Sequence, residues 1–161
     1  EEKFGIVKLL EELVAEKEPE AMVVLGNLSA AGVQTTQSFR QAISWYKKAV
    51  KAASNNIDEA SDEVINEVAW ILATTSKKSL KRARYALRII DKRMQDSALA
   101  REKPEFLDTW AAALAANGQF KKAIEIQNRA ISKATEQDRD DVLQILEKHL
   151  KSFKLNQPIT E

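Results

Sequence analysis

The chain has 161 residues, of which 44% are hydrophobic and 30% charged, and its formal net charge is +1. These values fit a globular domain or short solenoid rather than a disordered chain, and they exclude a global electrostatic pull toward nucleic acid or membrane. The lack of Cys excludes disulfides, zinc–cysteine sites and thiol nucleophiles, while 4 Gly and 3 Pro leave few strand-turn signals, so an all-α fold is expected.

In chain order, Phe4, Ile6, Val7, Leu9, Leu10, Leu13 and Val14 recur at helical spacing, predicting a first helix over 2–17. Pro19 suits the first turn of a second, which carries Met22, Leu25 and Leu28 up to Gly32. Thr35, Thr36 and Ser38 offer caps for a third helix with Ala42, Ile43, Tyr46, Ala49 and Val50 on one face. After the break at Asn55-Asn56, a fourth helix is predicted over 57–75. Ser79 opens a fifth to about Asp96, and Pro104 a sixth that ends at Asn117-Gly118. A seventh spans 119–135, Asp138 caps an eighth through Phe153, and 154–161 reads as a tail with little core-forming power. No apolar run approaches the roughly 18 residues of a spanning helix.

Small residues stand where two helices must touch: Gly26 and Ala111 in first helices, and Ala42, Ala49, Ala123 and Ala130 in second helices. The step from Ala42 to Ala49 recurs from Ala123 to Ala130. Gly118-x-Phe120-x-x-Ala123-Ile124, preceded by LDTWAAALA, resembles the turn and second helix of the tetratricopeptide repeat family. Ala21-x-x-x-Leu25-Gly26, Gly32-Val33 and Ala42-x-x-Trp45-Tyr46-x-Lys48-Ala49 resemble its SEL-type variant. Asn66-x-x-Ala69-Trp70-x-Leu72-Ala73 with Ala86-Leu87 is similar to a divergent middle repeat.

The resemblance implies a right-handed α–α superhelix organised as a half repeat (2–17), a SEL-type repeat (19–54), a divergent repeat (57–96), a tetratricopeptide repeat (104–135) and a capping helix (138–153). It further implies a bacterial, non-catalytic scaffold that binds a peptide or helix of a partner protein in its concave groove. Groove positions carried over from the family are Asn27, Asn66, Trp70, Thr74, Asp108 and Ala112. Asn66 both donates and accepts, Trp70 offers apolar surface, and Asp108 favours a basic group; the alternative is that Trp70 is a core residue and Asn66 a helix-packing hydrogen bonder. No cofactor, metal or small-molecule substrate is expected.

An alternative anion site lies in the basic stretch 77–93. Lys77, Lys81, Arg84, Arg88 and Lys92 align in one stripe at about 100° per residue. Lys81, Arg84 and Arg88 would carry contact with phosphates or an acidic surface, although a solvated outer face explains the same pattern and nucleic acid is a poor fit. His149, the one histidine, is expected on the surface or in the cap. A start at Glu1 without Met points to something removed upstream and leans the expected location toward the periplasm or export.

Overall fold

The computed structural model describes residues 2–161, with side-chain surroundings from residue 5 onward. The side chain of Phe4, expected to open the first apolar face, lies outside the described residues. The chain is all-α, with nine helices among the described residues and two compact units, the first ending at Val68 and the second spanning Ala69–Glu161. No helix among these residues is long and apolar enough to cross a membrane.

The first unit holds α1 (Glu2–Ala15), α2 (Pro19–Ala31), α3 (Phe39–Ala53) and the opening turns of α4 (Glu59–Thr74). Pro19 starts α2, as its fixed φ favours. Ser38 caps α3, its hydroxyl accepting from the Gln41 N–H at 3.2 Å. Asp58 does the same for α4, accepting from the Ser61 N–H at 2.8 Å. Gly26 meets Tyr46, while the Ser38 N–H donates to the Ser29 carbonyl at 2.8 Å. Contacts that advance along α2 retreat along α3, so the two run antiparallel. A core of Leu10, Ala21 and Leu25, with Leu13, Leu28 and Trp45 against it, joins α1 to this pair.

The second unit holds the rest of α4, then α5 (Ala83–Asp96), α6 (Ala98–Arg101), α7 (Pro104–Ala116), α8 (Phe120–Glu136) and α9 (Asp140–Lys154). Gln127 bonds both Asp108 and the Leu146 carbonyl, while the Gln119 N–H reaches Leu114 and the Arg139 N–H reaches Ala134. These pairings make α7, α8 and α9 successive antiparallel neighbours. Ala111, Ala123, Ala130 and Ala134 are fully buried where the helices approach.

Three boundaries differ from the sequence expectation. The fifth helix starts at Ala83 rather than Ser79, because Leu80 is buried and the Arg82 N–H turns back to the Leu72 carbonyl at 2.9 Å. The 96–103 connection contains α6, capped by the Ser97 hydroxyl on the Ala100 N–H at 3.1 Å. Asp138 does not cap α9: at φ 53° it ends α8, and the helix resumes at Asp140.

That last feature is general. Lys17, Gly32, Gly118, Asp138 and Asn156 all have positive φ, and the residue after each donates back five positions. The bonds to Leu13, Leu28, Leu114, Ala134 and Ser152 satisfy carbonyls that a helix end leaves open.

A Cβ on Gly26 would lie 2.5 Å from the Tyr46 Cε1 in a ring that is 1% exposed. Gly26→Ala is therefore expected to destabilise the protein by about 1–3 kcal/mol, measured by chemical denaturation. Removing the ring as well should recover part of that loss in a double-mutant cycle.

Candidate functional site

Each expected groove residue has a defined setting. In the first unit, Asn27 is exposed and its Oδ1 accepts from the Tyr46 hydroxyl at 2.7 Å. Asn66 is half-buried on α4, and its buried Oδ1 has no hydrogen-bond partner. Burial first, and the Glu67 charge second, push the Tyr46 phenol from 10.0 up to about 12.

In the second unit, Asp108 is 7% exposed on α7. His149 Nδ1 lies 2.9 Å from its Oδ1 and 3.0 Å from its Oδ2, and Gln127 Nε2 donates to Oδ1 at 2.8 Å. A carboxylate that accepts from the ring assigns the imidazole proton to Nδ1. Asp108 was expected to favour a basic group, and the one it faces belongs to α9 of the same chain. The Trp70 ring packs 5.7 Å from the His149 ring at 37°, and its Nε1–H donates to the Glu161 carboxylate at 2.9 Å.

Thr74 is buried and its hydroxyl donates to the Trp70 carbonyl at 2.8 Å, which leaves the Thr74 backbone oxygen to accept from the Glu161 N–H at 2.7 Å. Ala112 lies in the cluster of Ala111, Phe153 and Ile159. Trp70, Thr74, Asp108 and Ala112 are therefore all covered by α9 or by the segment after it. Chemically the recess holds an amphipathic helix by a buried charge and an extended segment by an indole N–H and backbone groups.

The basic stretch is less continuous than its sequence spacing implies. Lys77 and Lys81 stand in the turn before α5, so only Arg84, Arg88 and Lys92 share the helix. Arg84 and Arg88 are exposed, the latter 5.2 Å above the Tyr85 ring, and Lys92 pairs with Asp96 at 3.0 Å. Burial raises the Tyr85 phenol while Arg88 opposes the shift.

Four participants were not singled out as binding residues from sequence: Gln127, His149, Ile159 and Glu161. Two carry a signal. His149 shares the apolar stripe of Leu146 and Phe153, and Gln127 that of Ala123, Ala130 and Ala134. A polar residue on such a stripe is buried and must find a partner. His149, expected on the surface or in the cap, is accordingly 6% exposed on α9. Ile159 and Glu161 carry no periodic signal at all.

The raised Tyr46 phenol sets one expectation. Its contribution to stability is intact below pH about 10 and lost as pH rises toward 12, because the unfolded chain ionises first. Of the two tyrosine steps in an ultraviolet pH titration, Tyr46→Phe should remove the one near pH 12. The Asp108 cluster sets another. Asp108→Ala should cost about 3 kcal/mol in denaturant unfolding, and His149→Ala added to it should cost less than it does alone.

No family model matches the sequence, and no match to it is found among curated proteins or solved structures.

Proposed function

We propose that the chain is a non-catalytic protein–protein interaction module built from mixed tetratricopeptide and SEL-type repeats. On this reading a peptide or helix of a partner protein binds to the first helices of the pairs, with the candidate contacts of each unit taken separately. Support comes from the antiparallel pairs that close on Gly26 in the first unit and on Ala111 and Ala123 in the second. The observation that carries the reading is that the face of Trp70, Asp108 and Ala112 already holds an amphipathic helix and an extended segment, both peptide-like ligands.

In the first unit the candidate contacts are Asn27 and Asn66, whose amides have donors and acceptors to offer the backbone of a ligand. In the second they are Trp70, Thr74 and Asp108. Trp70 supplies apolar surface and a donor, Thr74 its backbone oxygen, and Asp108 holds the helix that walls the recess. Rigid helices bearing preset polar groups lose little entropy when a ligand binds.

The test begins with affinity capture from native lysate and identification of what co-elutes. Against that partner, the Asn66→Ala, Trp70→Ala double variant should bind about 30-fold more weakly, a loss of about 2 kcal/mol typical of a binding hot spot. A double variant that keeps its helical circular dichroism and its full affinity would overturn the assignment.

A further inference from the structure

Residues 157–161 leave α9 as an extended segment whose contacts alternate. Ile159 and Glu161 are held, while Thr160 between them is exposed. Ile159 enters the recess of Ala111, Ala112 and Phe153. Glu161 is recognised through three groups. Its N–H donates to the Thr74 carbonyl at 2.7 Å, its backbone oxygen accepts from the Ser76 N–H at 2.6 Å, and its carboxylate accepts from the Trp70 Nε1–H at 2.9 Å. Backbone pairing for affinity with every second side chain for selectivity is how an extended peptide docks on a prepared edge. The edge exists because α4 stops at Thr74, so that carbonyl has no amide one turn further along the helix to bond.

We propose that this is a peptide site for an extended segment with an aliphatic residue two places before an acidic one, filled in cis by residues 157–161 as a displaceable latch. The proposal rests on the interaction-module reading and names the ligand chemistry of its second unit. An aliphatic side chain fits because the cluster of alanines and Phe153 is apolar and already holds the branched Ile159. An acidic side chain fits because the indole N–H is donor only and bonds a charged acceptor more strongly than a neutral one. Exposed Lys77 and Lys78, next to Ser76, add attraction for acidic ligands.

The latch is held far less firmly than the helix before it. His149 on Asp108 and Gln127 on Leu146 pin α9 through buried groups. In the extended segment only Ile159 is buried, and Gln157, Pro158, Thr160 and Glu161 remain exposed. The segment can therefore leave while the walls of its recess stay in place. A cis ligand at high effective concentration excludes weak competitors and yields to a partner that makes further contacts.

The test uses the full chain carrying Ile159→Asp and Glu161→Lys, and a labelled, amidated hexapeptide with the sequence of residues 156–161, NQPITE. By fluorescence anisotropy the released variant should bind the peptide about tenfold or more tighter than the parent chain. Trp70→Phe in the released variant keeps a ring and removes the donor, so it should weaken binding about tenfold, as should Gln at the last peptide position.

A released variant with the parent's circular dichroism that binds the peptide no better overturns the proposal. If that variant loses helicity, hydrogen exchange in the parent decides. The Glu161 and Ser76 N–H groups should then exchange about tenfold or more faster than the Leu146 N–H, and exchange at one common rate overturns the latch. Peptide failure alongside a captured partner that still depends on Asn27 or Asn66 sinks this inference alone, whereas loss of both sinks the module reading with it.

Discussion

A carboxylate taken out of water must be met by donors, and Asp108 is where that requirement organises the second unit. The donors come from two other helices, Gln127 on α8 and His149 on α9. Gln127 also bonds the Leu146 carbonyl, so one side chain ties all three helices. The consequence reaches beyond packing. Fixing His149 places its ring against Trp70 and sets the direction in which α9 delivers the residues that follow it. An apolar residue at 108 would pack without specifying that angle.

The small residues do complementary work. Alanine at 111, 123, 130 and 134 lets the helices approach until Phe153 and Ile159 fill what remains. In the first unit the same role falls to Gly26, against which the Tyr46 ring lies flush while its hydroxyl reaches Asn27. Close approach also makes the short connections possible. Each of five helix ends reverses through one left-handed residue and a backbone bond five positions back, and only two of those residues are glycine. The strain at Lys17, Asp138 and Asn156 is offset by carbonyls that would otherwise lack a partner.

The recess that results is polar at its edges and apolar within. Its donors and acceptors are an indole N–H, a helix-terminal carbonyl and a loop amide, none of which needs a charge to act. The backbone share of such binding is set by geometry more than by ionic strength. Attraction of an acidic side chain to Lys77 and Lys78, like contact through the exposed Arg84 and Arg88, is screened by salt. The turn before α5 takes both Lys77 and Lys81 out of the stripe, and three aligned cations make a weaker phosphate track than five.

Periodicity carried the helix content, the order of the elements and the small-residue crossings at 26, 111 and 123, because these depend on local spacing and on volume. Trp70 and Asp108 stand out in the sequence only as groove positions that the resemblance to a repeat family carries over. The sequence did not show that His149 would be Asp108's partner, 41 residues away, or that Glu161 would reach Trp70 across 91. Nor did it place the start of α5, expected at Ser79 and found at Ala83, since burial of Leu80 depends on what it packs against. Amphipathic pattern is a property of a segment and can be read from the segment alone. Which buried polar groups meet, and which recess a short tail fills, depend on angles between helices that only the packed core sets.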